Sequence, residues 1–277
     1  MAIVKAFRAI RPVPELAQKV AALPYDVMDS NEAREMAKGN PYSFLHVDKA
    51  EIDLDPDIDL YDKRVYEKAR DNMRSMIKDG VFLRDEKDCL YIYQQVMKGR
   101  VQTGLVGCTS IDDYVNNIIK KHEFTRADKE QDRINHVDYC NANTGPIFLT
   151  YRASKEINET VGSWMANHKP VYNFISDDGI GHTVWIIDEA AAINRLKEKF
   201  DAVDYLYIAD GHHRSASAVK VGLSRRERFP GYKGDEEFNF FLSVLFPDEQ
   251  LYIMDYNRVV KDLNGNSPEE LLKKVGE

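Results

Sequence analysis

The chain is predicted to fold as an α+β protein, with mixed sheets flanked by helices, and three observations predict it. Strand-length runs of β-branched and aromatic residues recur, as in Leu90 to Lys98 and Val101 to Ser110. Segments with helical periodicity and capping residues lie between them. At 277 residues, 43 % hydrophobic and 10 % aromatic, the chain can bury a sizeable core in one large domain or two modest ones.

The chain opens on a strand pattern, Ile3 to Ile10, and Pro12 and Pro14 then impose extended or turn geometry before a short helix around Glu15 to Ala22. Asp29 and Glu32 form a capping-box pair opening a helix through Lys38, which Gly39-Asn40-Pro41 ends. Tyr42 to Val47 is expected as a strand and the acidic stretch Glu51 to Asp59 as a solvated loop. A helix follows with Tyr61, Val65, Ala69, Met73, Met76 and Ile77 on one stripe, stopped by Gly80. Gly99-Arg100 is the expected hairpin turn between the two runs named above. Further strands are predicted at Gly145 to Arg152, His182 to Ile187, Phe238 to Phe246 and Gln250 to Asp255, with helices near Lys155 to Asn167 and Asp188 to Phe200. Ser267-Pro268-Glu269-Glu270 is a helix start. The apolar residues after it imply either a helix that docks back or a chain that continues, and the second is preferred. With no repeat or low-complexity linker, the helix end near Gly80 marks the expected boundary. Residues 1–80 form an N-terminal α/β segment and residues 81–277 the main α+β domain.

Charge narrows the function classes. Lys and Arg number 38 against 46 Asp and Glu, a net charge of −8. That balance argues against a general nucleic-acid or membrane-surface binder and requires any anionic ligand to be held locally. Cys89, Cys108 and Cys140 show no metal-ligand spacing, and their odd number suits a reducing compartment. No signal-peptide region or apolar stretch approaching ~20 residues is present, so a cytoplasmic location is expected.

The chemistry is expected where the apolar run Tyr205 to Ala209 breaks into Asp210-Gly211-His212-His213-Arg214 and then Ser215-Ala216-Ser217-Ala218. This reads as strand, tight turn and closely packed helix. The free N–H groups and dipole of a helix start favour an anion, and two imidazoles and a guanidinium add donors suited to phosphate oxygens. A histidine pair after a strand also serves simply to cap a helix or satisfy carbonyls. Four multi-donor residues together are harder to explain in that way, since each costs roughly 1–3 kcal/mol if buried without a partner. A second polar stretch, Lys120 to Arg133, would as a helix align His122, Arg126, Lys129 and Arg133 on one face, although interleaved acids also fit an exposed helix of ion pairs. The amide-rich loop Asn141 to Pro146 follows it. Phosphate-loop, dinucleotide, zinc-protease and nucleophile-elbow motifs are absent.

Leu23-Pro24-Tyr25-Asp26-Val27, then His122-Glu123 with Thr125, Lys129 and Asp132-Arg133, then Asn143, Pro146 and Asp210 to Arg214, together resemble the DUF1015 family along essentially the whole chain. The Gly-His-His-Arg piece is also similar to the phosphate-contacting motif of the ParB/sulfiredoxin superfamily, which includes free serine kinases. These resemblances imply a ParB/sulfiredoxin-like core element around the turn and a small-molecule phosphotransferase, a kinase of free serine or a similar hydroxyl metabolite. They imply Asp26, Asp210 and His213 as catalytic, with Glu15 as the rival base. Gly211, His212, Arg214, Ser215, His122, Lys129 and Arg133 would bind phosphate or nucleotide, and Tyr25, Glu123 and Asn143 the substrate. Mg²⁺ with ATP, ADP or pyrophosphate is the implied cofactor set, and Asp210 would bind the ion or position a histidine. A phosphate donor and a hydroxyl acceptor are the expected partners, with no nucleic acid and no membrane, and a homodimer is left open. The alternatives are a metal-dependent phosphoesterase acting on phosphoserine, and a regulatory protein that binds a nucleotide without turnover.

Overall fold

The computed structural model describes residues 2–255, 257 and 259–276. Strands β1 (Val4–Lys5) and β2 (Ile10–Pro12) lead into a helical lobe made of α1 (Ala17–Val20), α2 (Ser30–Ala37), α3 (Leu45–Asp48) and α4 (Lys63–Lys78). The sheet region continues with β3 (Phe82–Arg84), β4 (Leu90–Met97), β5 (Arg100–Ser110), α5 (Ile111–Val115), β6 (Ile119–Lys120), α6 (Ala127–Cys140) and β7 (Ile147–Tyr151). Then come α7 (Lys155–Asn167), β8 (Tyr172–Ile175), β9 (Gly181–Ile187), α8 (Ala190–Asp201), β10 (Leu206–Asp210), α9 (His212–Arg228), β11 (Phe240–Pro247) and α10 (Pro268–Gly276). The α+β expectation holds. Among the described residues, no helix is long and apolar enough to cross a membrane.

The main sheet runs β6-β10-β7-β11-β5-β4-β9-β8, with β1 also paired to β5. The β6–β10 and β7–β11 pairs are parallel and the others antiparallel. Its apolar residues, including Leu90, Ile92, Leu149, Leu206 and Phe241, form one large core with α7, α8 and α9. The helical lobe keeps a separate cluster of Val20, Val47, Met73, Met76, Val81 and Phe82. Arg11 joins β2 to this framework through Asp85, at 2.7 Å, and Tyr172 on β8, at 3.0 Å. Tyr91 donates to the same Asp85 carboxylate at 2.6 Å.

Local chemistry places several elements as expected. The Asp29 side chain accepts from the Asn31 and Glu32 amides while Glu32 accepts from the Asp29 amide, so the capping box opens α2. Ser267 and Glu270 form the same reciprocal pair before α10, yet Leu272 and Val275 stay exposed. Other expectations fail where distant pairing intervenes. The Ile3 to Ile10 strand is split, because Val4 pairs with Thr109 whereas Phe7 bridges to Cys89. Tyr42 to Val47 is not a strand but enters α3, with Leu45 and Val47 buried among the lobe helices. Tyr61 and Ile77 are exposed, so the buried stripe of α4 is carried by Val65, Tyr66, Ala69, Met73 and Met76. Met97 pairs with Arg100, which makes Lys98-Gly99 the hairpin turn, one residue earlier than expected, and Lys98 takes a positive φ of 51°. Residues 251–255 form no strand. Instead the Gln250 side chain accepts from the Thr103 amide, and Arg100 donates to the Gln250 and Leu251 carbonyls.

The small residues of α9 allow it to lie close on its neighbours. A Cβ on Gly222 would collide with the Phe238 carbonyl oxygen and meet Ile111 Cδ1 at 2.8 Å. Since backbone cannot yield cheaply, Gly222→Ala is expected to destabilise the protein by about 2 kcal/mol in chemical denaturation. An unchanged denaturation midpoint would contradict this packing.

Candidate functional site

Strand direction brings three loops to one end of the sheet. The parallel register of β6 and β10, Ile119 beside Leu206 and Lys120 beside Tyr207, makes the 121–126 loop and the Gly211 turn leave at the same end. β7 is antiparallel to β10, so the 141–146 loop enters there, with Phe148 opposite Asp210. The register shifts between Ile208 and Asp210, a bulge of the kind that re-aims side chains at a strand end.

Gly211 caps α9 with φ 94° and ψ 35°, a left-handed conformation that glycine adopts at no steric cost. A Cβ there would lie 3.2 Å from Arg214 Nε and 3.3 Å from Cζ, so the guanidinium folds back over the turn. Arg214 Nη1 donates to the Pro146 carbonyl at 2.6 Å, and Nη2 donates to Asp210. Asp210 therefore partners the arginine, which corrects the expectation that it positions a histidine.

His212 is only 6 % exposed. Its Nδ1 lies 3.4 Å from Glu123 Oε2, and its ring meets that of His122 edge-on with centroids 4.4 Å apart. Burial first, and then the neighbouring His122 and His213, lower its pKa, against the opposing pull of Glu123 and Asp210. Its Nε2 is buried without a hydrogen-bond partner, and so is His213 Nδ1. Two consecutive histidines at the start of α9 thus each keep one buried ring nitrogen without a hydrogen-bond partner.

From α6, Arg133 lies over the Tyr25 ring at 4.1 Å and pairs with Asp132 at 2.8 Å. Burial works against its charge, but Asp132, Tyr25 and Asp48 hold it cationic. Burial raises the Tyr25 pKa, while Arg133 and Arg214 pull it back and Asp26 pushes it further up. The Tyr25-Asp26 loop thus lies within electrostatic range of both arginines, with Asp26 exposed.

The remaining predicted residues divide. Asn143 is half-buried in the converging 141–146 loop. The cationic stripe does not form, because β6 pairs with β10 through Lys120 and helix begins only at Ala127. His122 reaches the site from a loop. Arg126 pairs with Asp128, and Lys129 donates to the Tyr61 hydroxyl at 3.2 Å, directed toward the start of α4. Ser215 faces inward, fully buried, with its hydroxyl donating to the His212 carbonyl at 3.0 Å and its amide to Gly211 at 2.9 Å. Its expected phosphate contact is therefore corrected. Glu15 is exposed in the 3-10 turn before α1, whose Gln18 reaches Ile175 on β8 at the far edge of the sheet from β10.

Glu130 is a residue the sequence showed only as a counter-charge. It is buried, accepts from Thr125 Oγ1 at 2.6 Å and pairs with Lys220. Burial pushes its pKa up, but Lys220 and Thr125, with a smaller pull from His213, hold it below the ordinary carboxylate value. Ser217 Oγ lies 2.7 Å from the His213 carbonyl and 3.0 Å from the Glu130 carbonyl, linking the two helices behind the turn. Two surface hollows of about 470 and 570 Å³ are lined by α7 and its neighbours, away from the turn.

Residues 4–277 match the family described as protein of unknown function (DUF1015). The chain belongs to the DUF1015 family. Neither a curated protein nor a solved structure matches it. Among the described residues of this DUF1015 chain, no three His, Cys, Asp or Glu side chains form a group able to hold a metal ion. The nitrogen donors at the turn suit phosphate oxygens, whereas Mg²⁺ takes oxygen ligands. The turn thus does not fit a resident Mg²⁺.

Burial lowers the pKa of His136, His182 and His212, whereas Asp53 raises that of His46. The three lowered groups contribute stability that is present above the ordinary 6.5 and lost as pH falls toward their folded values. His46 acts in the opposite sense. Three against one, the Tm is expected to fall between about pH 7.5 and about pH 5.5. A Tm that holds or rises over that interval in thermal melts would contradict the burial of these rings as neutral imidazoles.

Proposed function

We propose that this DUF1015 protein is a small-molecule phosphotransferase, a kinase of free serine or a similar hydroxyl metabolite that uses ATP, ADP or pyrophosphate as donor. The observation that carries the reading is the pair of orphaned imidazole nitrogens, on His212 and His213, beside Arg214 at the N-terminus of a 17-residue helix. Similarity of the Gly-His-His-Arg turn to that of the ParB/sulfiredoxin free serine kinases supports it.

In this reading His212, His213, Arg214 and the free amides of α9 hold the donor phosphates, and Arg133 adds positive charge from the Tyr25 side. The acceptor hydroxyl oxygen attacks the terminal phosphorus as the bond to the donor's bridging oxygen breaks, and the leaving phosphate keeps that electron pair. Asp26 orients the hydroxyl and takes its proton. Its place beside Tyr25, within range of Arg133 and Arg214, favours it over Glu15. Mg²⁺ would enter on the donor phosphates, and no step is assigned to it. The phosphoesterase alternative needs a metal-ligating cluster that the described residues do not form.

Purified protein incubated with serine, Mg²⁺ and each donor in turn, with mass detection of phosphoserine, tests the reading. Binding without product from any donor would favour the regulatory alternative. Arg214→Ala is expected to weaken donor binding by roughly 1.5–3 kcal/mol, the scale of a charge-assisted contact. Asp26→Asn should leave donor binding intact and lower turnover about 100-fold. A fully active Asp26→Asn variant would transfer the base role to Glu15. Bound anion also favours the charged form of His212, so pyrophosphate binding should tighten as pH falls through neutrality and take up a proton. Calorimetry in buffers of different ionisation enthalpy measures that uptake, and a binding enthalpy independent of buffer would remove His212 from the phosphate site.

A further inference from the structure

Besides its pairing with Asp210, Arg214 has two further contacts that hold it in place. Its guanidinium rests over Gly211, the Pro146 carbonyl accepts from Nη1 at 2.6 Å, and its side chain keeps only 17 % of its surface exposed. The Asp210 side chain, by contrast, is 65 % exposed, and its carboxylate accepts from Nη2 across the first turn. It sits on the residue before the helix cap, where the amides of α9 begin and where His212 Nε2 and His213 Nδ1 are without partners. A carboxylate in that place interacts with the arginine as a phosphate oxygen would.

The geometry points to Asp210 as an internal competing anion that sets the charge threshold of the site. This rests on the phosphate reading of the turn and specifies which anions that turn accepts. A singly charged anion can only exchange with the carboxylate and gains nothing by doing so. A multiply charged phosphate replaces it at Arg214 and also meets the free amides at the start of α9. An exposed carboxylate is released at little cost, so the exchange favours the phosphate. Asp210 thereby determines which anions the turn accepts.

The test compares pyrophosphate with methanesulfonate, a singly charged oxyanion, by calorimetry on the wild-type chain, Asp210→Asn, Asp210→Ser and Asp210→Asn combined with Arg214→Ala. Thermal melts first establish that each variant is folded, and two substitutions at position 210 keep the test intact if one is not. The expected result is that wild type binds pyrophosphate and not methanesulfonate. Both single variants should bind pyrophosphate about fivefold more tightly, the upper scale of such an ion pair, and take up methanesulfonate measurably. The added Arg214→Ala should abolish the gain. Wild-type binding of pyrophosphate with no tightening in either variant overturns the role of Asp210 and leaves the phosphate turn standing. Failure of pyrophosphate to bind wild type and every variant overturns both.

Discussion

The parallel pairing of β6 with β10 is the constraint on which the rest of the site depends. Two parallel neighbours must end on the same side, so the loop carrying His122 and Glu123 emerges beside the turn carrying His212 to Arg214. The antiparallel entry of β7 adds Pro146, whose carbonyl fixes the guanidinium. The three segments that carry these residues lie far apart in sequence. The sheet supplies the rigid platform, and the loops at its end supply the donors.

The electrostatics follow from that convergence. In a chain of net charge −8, an anion could be held only where cations are gathered and acids are engaged elsewhere. Around the turn four acids have partners: Asp210 with Arg214, Asp132 with Arg133, Glu130 with Lys220, and Glu123 beside His212. Burial keeps His212 from charging readily. The three thiols show the opposite situation, since burial pushes Cys108 and Cys140 up to about 12 and raises Cys89, leaving them poor nucleophiles.

The helical lobe contributes by docking rather than by sharing the sheet core. Its apolar cluster is its own, yet Tyr25 under Arg133, Tyr66 donating to Asp132 and the His136 ring donating to the Val47 carbonyl at 3.0 Å fasten it to α6. The arginine that faces the site is therefore held by a residue from the loop that carries the candidate base. Movement of the lobe would alter both together.

The sequence by itself determined those features whose partners lie within about four residues: the capping boxes at Asp29 and Ser267, the stop of α4 at Gly80, and the strand, left-handed glycine and helix at the turn. It also determined the family and the residues worth attention, because a cluster of multi-donor side chains after a buried strand is recognisable locally. Tertiary structure decided which of them meet. Lys120 left the helix expected of its neighbours because an edge strand satisfied its backbone on β10, and Ser215 turned inward because packing sets the rotation of α9. Glu130 changed from a surface counter-charge into a buried carboxylate when α6 met α9. Local hydrogen bonds are encoded by spacing, whereas strand pairing and helix rotation are encoded by surfaces that exist only once distant segments have come together.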